Sequence, residues 1–152
     1  MSIARRLLSI GGGQVRPFKF TIQTTSANTQ FELPITAPGG NQPNLTVSWG
    51  DGSSDNTIIS VNSSDRFHTY TSAGTYQIIV GGYCPGFSVG NNPSYKTLYK
   101  SIDDWGLVQL EEVNFYGCIN LTTIPADGSN NAILNDGLNT IKRFDSTFRQ
   151  TG

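Results

Sequence analysis

The chain has 152 residues, enough for one domain of ordinary size or for one small domain and part of another. Charged residues make up only 14% and the net charge is -1, which excludes a strongly basic nucleic-acid binder and an acidic disordered tail. No apolar run reaches the roughly 18 residues that cross a bilayer, so membrane insertion is excluded, and 17 glycines amid abundant Ser, Thr and Asn point to a β-rich protein with many turns.

Residues 1–16 read as an N-terminal arm. Arg5 and Arg6 precede an apolar stretch of only Leu7 to Ile10, followed by Gly11 to Gly13. A secretory signal needs about 7 to 15 apolar residues, so none is expected here. Ile3, Leu7 and Leu8 would share a face of a short helix, but so few residues do not hold a helix alone in water. The arm is therefore a tail, or a segment that orders on a partner with the glycines as its joint. In the second case Ile3, Arg5, Arg6, Leu7, Leu8 and Ile10 are the candidate binding residues. Residues 1–20 carry Arg5, Arg6, Arg16 and Lys19 and no acid, whereas 101–152 carry seven acids and three bases. Docking of the arm on an acidic neighbour and a chance distribution both explain this.

From Phe18 onward the pattern has period two. Phe18, Phe20 and Ile22 alternate with polar residues, as do Phe31, Leu33 and Ile35, where Pro34 suggests an edge. Leu45, Val47 and Trp49 form a third strand, closed by Gly50-Asp51-Gly52. A short strand is expected around Ile58 to Val61, another over Phe67 to Tyr70, and another through Tyr76, Ile78 and Val80. Tyr83 to Val89 is expected to be the last. Turn signals recur roughly every 8 to 14 residues and no helix is convincing, which is the pattern of an antiparallel β-sandwich.

Val47-Ser48-Trp49-Gly50-Asp51-Gly52-Ser53, followed by His68-Thr69-Tyr70 and Gly74-Thr75-Tyr76, resembles the polycystic-kidney-disease (PKD) type of immunoglobulin-like domain. The resemblance covers about residues 18–90. It implies that Asp51 bonds back to its turn, that Tyr70 and Tyr76 act as in a tyrosine corner, and that His68, the chain's single histidine, is structural.

The pattern changes after residue 97. Leu110-Glu111-Glu112-Val113 is echoed 28 residues later by Leu138-Asn139-Thr140-Ile141, and such spacing reads as leucine-rich repeats. Ser101 to Gly106, Phe115 to Leu121 and Asp145 to Phe148 resemble the BspA-like leucine-rich-repeat surface proteins. That resemblance implies a PKD-like domain ahead of the Trp105-Gly106 block. The expected architecture is a mainly β chain: an arm at 1–16, a PKD/immunoglobulin-like β-sandwich at 17–97, and an incomplete leucine-rich-repeat-like segment at 98–152. A repeat cannot bury its apolar face alone. Phe144 and Phe148 are therefore candidate subunit contacts.

No motif carries catalysis, and no cofactor or metal site is expected. P-loop, dinucleotide, HExxH, C-x-x-C and G-x-S-x-G patterns are all missing. Asp51, Asp55 and Asp65 could gather calcium, but the rest of an EF-hand loop is missing and solvated turn carboxylates are the simpler reading. Cys84 and Cys118 allow one bridge or two small buried thiols. Asn44, Asn62 and Asn120 begin glycosylation sequons that an Asn/Thr-rich chain produces by chance. Tyr83, Phe87, Tyr95, Tyr99, Trp105 and Tyr116 suggest either a sugar-stacking surface or a core shared by the two halves, the second being simpler.

Two functional classes fit. The first is a virion structural protein, a phage capsid decoration protein or fibre. It would hold other virion proteins or copies of itself through the arm, and it reconciles surface-type modules with the lack of an export signal after Met1. The second is a bacterial cell-surface adhesin fragment that binds a host surface protein or glycan. Neither needs an enzyme.

Overall fold

In the computed structural model, which describes residues 16–89 and 94–125, strand β1 (Phe18–Thr24) is the centre of the framework. Its side chains at Phe18, Phe20, Ile22 and Thr24 are buried and the intervening ones are not, as a pleated strand with one core-facing side requires. On one side it pairs antiparallel with β7 (Gly74–Tyr83), and on the other with β9 (Tyr99–Asp104). β4 (Asn44–Ser48) pairs with β7, and β5 (Asn56–Ile58) pairs with β4. The five-stranded order is β5-β4-β7-β1-β9.

Against this sheet lie two smaller ones. β2 (Thr29–Glu32) pairs with β6 (Phe67–Tyr70), placing Phe31 beside His68. β8 (Gly86–Ser88) sits between β3 (Ile35–Thr36) and β10 (Glu112–Asn114), in the order β10-β8-β3. Aromatic side chains bridge the layers. Phe20 of β1 meets Phe87 of β8 at 5.3 Å between ring centroids and Phe31 of β2 at 6.3 Å. The molecule is mainly β and consistent with a sandwich, as the period-two pattern predicts. Among the described residues no helix is long and apolar enough to cross a membrane.

The segment beyond residue 97 departs from expectation. Tyr83 to Val89 does not hold the last strand, because β9 and β10 follow and belong to the same sheets. Residue 97 is not a boundary between two cores either. Tyr99, Ile102, Trp105, Val108, Leu110, Val113 and Phe115 are buried in one cluster with Phe18, Phe20 and Phe87. Trp105 stacks on Phe18 at 5.9 Å and an interplanar angle of 6°. Asp103 fastens the sheet from outside, accepting hydrogen bonds from Thr21 Oγ1 at 2.6 Å and Gln77 Nε2 at 2.9 Å. The physical reason is area: the inner face of β1 needs a neighbour beyond β7, and β9 supplies it. In the described part, 98–125, no separate leucine-rich-repeat unit is seen.

Arg16 also moves across an expected boundary. Its guanidinium reaches Asp104 at 2.9 Å and its carbonyl accepts from Leu107 N at 2.6 Å. It is thus part of the sandwich rather than of an arm. The other arm residues singled out above, Ile3, Arg5, Arg6, Leu7, Leu8 and Ile10, lie outside the described residues, as do Phe144 and Phe148.

Candidate functional site

The two halves of the sequence motif, 49–53 and 68–76, meet at one end of the sandwich. β4 ends at Ser48 and delivers Trp49, fully buried, into the turn. Gly50 and Gly52 take φ of 81° and 85°, the left-handed region open to glycine, so the chain reverses within a few residues. Asp51 then caps its own turn, Oδ1 accepting from Ser53 N at 3.0 Å and Ser53 Oγ at 2.6 Å.

The other carboxylate oxygen of Asp51 lies 2.7 Å from His68 Nε2. Burial pushes the Asp51 carboxyl up, but the hydrogen bonds from Ser53 and His68, with the charge of His68, outweigh it and hold the carboxyl down at about 2. The imidazole is clamped on its other sides as well. The Trp49 ring lies nearly parallel to it at 4.8 Å, and Tyr70 meets it edge-on at 4.7 Å. The Tyr70 hydroxyl is buried and donates to the Trp49 carbonyl at 2.9 Å. Burial, with Asp51 and Tyr76 nearby, pushes that phenol well up, so it stays a donor. Tyr76 stacks on Tyr70 at 4.2 Å and donates to Ser72 O at 2.8 Å.

Trp49, Asp51, His68, Tyr70 and Tyr76 therefore each have a hydrogen-bond partner inside the motif or next to it. The ring of His68 is held by two aromatic neighbours, Trp49 and Tyr70, and by the Asp51 carboxylate. The arrangement can hold a corner rigid. One member escaped sequence reasoning: Asn56 on β5 accepts the Trp49 indole N–H at 2.7 Å. A lone Asn in a polar stretch carries no signal that would have marked it.

The acidic trio does not assemble. Asp51 is engaged with Ser53 and His68, and among the described residues no group of three His, Cys, Asp or Glu side chains is placed to hold a metal. Cys84 and Cys118 are both buried free thiols, so they form no bridge. Burial pushes each thiol up to about 12. Of the aromatic stretch, Phe87, Tyr99 and Trp105 are core, Tyr83 and Tyr95 are half-buried, and Tyr116 is exposed beside Lys96, whose ammonium lies 5.4 Å from its ring. The shared-core reading accounts for three of the six. Of the sequon asparagines, Asn44 and Asn62 are exposed and Asn120 donates to Thr97 O at 2.7 Å.

A cavity of about 220 Å³ opens between the smaller sheets, lined among others by Glu32, Thr36, Arg66, Ser88, Tyr95 and Tyr99. Arg66 and Glu32 pair across it at 3.0 Å. Arg66 Nε and the Tyr99 hydroxyl are buried and have no hydrogen-bond partner. Sequence reading did not find this cavity because its lining comes from five separate segments. Comparison with protein-family models, with curated proteins and with solved structures returns no match for this chain.

Proposed function

We propose that the chain is a non-enzymatic structural protein of a virion, a phage capsid decoration protein or fibre component, that attaches through residues 1–15 and displays the sandwich. The observation that carries the non-enzymatic part is the closure of the motif on itself: His68 and Asp51 hold each other, and Trp49 and Tyr70 clamp the ring. What supports display is the rigid corner, the low charge and the resemblance of the sequence over residues 18–90 to a surface-type domain. The partners under this reading are other virion proteins or further copies of the chain.

The test uses particles. Virions released by lysis of a host that carries the gene are banded on a density gradient and probed with antiserum to the protein. Co-banding in the particle fraction, lost on deletion of residues 1–15, is the expected result. Antigen found on host cell envelopes and absent from particles would overturn the reading.

A second reading, a bacterial surface adhesin binding a glycan, draws on the cavity between Glu32, Arg66, Tyr95 and Tyr99. An ion pair and phenols beside aromatic faces suit sugar hydroxyls and the apolar face of a sugar ring. Glycan-array binding lost in Tyr95→Ala would favour it.

A further inference from the structure

Glu32 is the last residue of β2, and Arg66 immediately precedes β6. Glu32 stands opposite Phe67, and Leu33 N donates to Arg66 O at 2.8 Å, which carries the β2–β6 ladder one residue further. That register brings the two side chains together, with Arg66 Nη2 at 3.0 Å from Glu32 Oε1. The guanidinium carbon of Arg66 also lies 4.9 Å from the centre of the Phe67 ring. Two contacts at its far end thus hold the planar fork in place. The neighbouring wall is aromatic. Tyr95 and Tyr99 each meet Phe31 at 5.8 Å between ring centroids, at interplanar angles of 61° and 62°.

Two polar groups stay without a partner in this rigid frame. Arg66 Nε is buried and makes no hydrogen bond, although the same guanidinium is anchored on Glu32. The hydroxyl of Tyr99, a fully buried residue, makes none either. Burial, with Cys118, Glu32 and Tyr70 nearby, pushes that phenol well above its ordinary 10, so it keeps its proton and can donate. Buried donors are nearly always paired, with protein, with water or with a ligand. Here both belong to residues that line the same cavity of about 220 Å³.

The lining selects a class of ligand. Its two charged residues, Glu32 and Arg66, have opposite sign and are paired, so the wall favours neither an anion nor a cation. A cavity of about 150 Å³ holds a benzene ring, and drug-sized ligands occupy about 300 Å³ or more. The space therefore suits one six-membered ring with its substituents. That ring has to offer an acceptor to Arg66 Nε, which can only donate, and a polar atom to the Tyr99 hydroxyl. The buried side chains of Ile35 and Val89, with the half-buried Tyr95 phenol, supply the apolar part of the lining. A sugar ring, with hydroxyls at its rim and C–H groups on its faces, meets each of these demands.

We propose that this cavity binds a single neutral sugar ring, with Arg66 Nε and the Tyr99 hydroxyl donating to its oxygen atoms and Tyr95 against its apolar face. The inference rests on the glycan reading of the cavity and narrows it to one uncharged residue of a glycan, as opposed to a sialic or uronic acid.

NMR titration of the isotope-labelled full chain tests it. The neutral probes are the methyl glycosides of glucose, galactose, mannose, fucose and N-acetylglucosamine, and the charged ones are glucuronic acid and a methyl sialoside. At least one neutral glycoside should move the Arg66 Nε–H signal together with the amides of Ile35, Val89 and Tyr99. The charged sugars should bind at least tenfold more weakly. Tyr99→Phe keeps the ring and removes a hydroxyl that has no protein partner. It should therefore melt no lower than the wild type and lose at least tenfold in affinity. Arg66→Lys keeps the charge beside Glu32 but has no Nε–H, and should weaken binding as well. If no neutral glycoside moves the Arg66 signal at tens of millimolar, the two donors belong to ordered water and the proposal fails. It fails too if Tyr99→Phe binds as the wild type does, or if the charged sugars bind equally well. Glycan-array binding that Tyr99→Phe leaves intact would keep the glycan reading and end this one. Silence on the array and in the titration would end both.

Discussion

The α-carbon of Gly50 faces the main-chain oxygen of Gln77 on β7, and a β-carbon built on Gly50 would overlap that oxygen. Gly52, two residues on, has the same left-handed backbone but nothing within 4 Å of such a carbon. The same substitution should therefore separate two effects. Gly52→Ala meets only the backbone penalty, about 1 to 2 kcal/mol. Gly50→Ala meets that penalty and must push β4 and β7 apart, so it should cost on the order of 3 kcal/mol or more. Urea unfolding midpoints at matched slope measure both. Equal losses would show that the close approach to Gln77 is not rigid.

The corner also predicts a pH dependence. Asp51 is held at about 2, below its ordinary 3.8. A carboxyl lowered in the folded state contributes stability that is fully present above the unfolded value and is lost as pH falls through the folded one. The window is therefore from about pH 4 down to about pH 2, and the loss should be about 1 kcal/mol after screening by solvent. Asp51→Asn should remove this part of the profile. A wild type and an Asp51→Asn variant with parallel stability curves over that window would contradict the assignment.

Tyr70 and Tyr76 stack on each other but differ in what their hydroxyls do. The Tyr70 hydroxyl is buried against the Trp49 carbonyl, whereas that of Tyr76 reaches an exposed turn. Tyr70→Phe leaves a buried carbonyl without its donor and should cost about 1 to 3 kcal/mol. Tyr76→Phe should cost less than about 0.5 kcal/mol, because water replaces the lost partner. Thermal melts of the two variants settle the order.

The thiols give a chemical check on packing. Only a thiolate attacks a disulfide reagent, and both thiols are buried and pushed up to about 12. Ellman's reagent should therefore leave the native protein almost unlabelled at pH 8 and label two thiols per chain in denaturant. Rapid native labelling of either cysteine would mean that the core around it opens.

Much of the sandwich was legible because its strands keep strict alternation and are bounded by glycine turns. β1, β4 and β7 fall where Phe18/Phe20/Ile22, Leu45/Val47 and Ile78/Val80 place them. β9 was not legible as a sandwich strand. Its buried residues Tyr99 and Ile102 are three apart, a spacing that strict alternation would send to opposite faces. Register shifts against β1, between Lys19 and Phe20 and between Thr21 and Ile22, bring both inward. β10 was hidden for another reason. Its partner is parallel, and parallel pairing leaves no hairpin turn in the sequence to announce it. The corner was legible as a motif, but the His68–Asp51 contact depends on β2–β6 pairing and on the β4 turn together, which no local pattern reports.

The integration of residues beyond 97 yields the last prediction. Were the sandwich complete at 97, a chain of residues 17–97 would fold alone. In the structure that chain would lack β9, which edges β1, and β10, which edges β8. It would also lose Tyr99, Ile102, Trp105, Leu110 and Phe115 from a single core, leaving Phe18, Phe20 and Phe87 uncovered. Each large apolar side chain contributes roughly 1.5 to 3 kcal/mol on burial, against a total stability of about 5 to 15 kcal/mol for an ordinary domain. Loss of five such contributions is comparable to that whole margin, before the two missing ladders are considered. Residues 17–97 should thus show no cooperative thermal transition and weak near-ultraviolet circular dichroism, while the full chain melts cooperatively. A cooperative melt of 17–97 within a few degrees of the full chain would restore residue 97 as a true domain boundary.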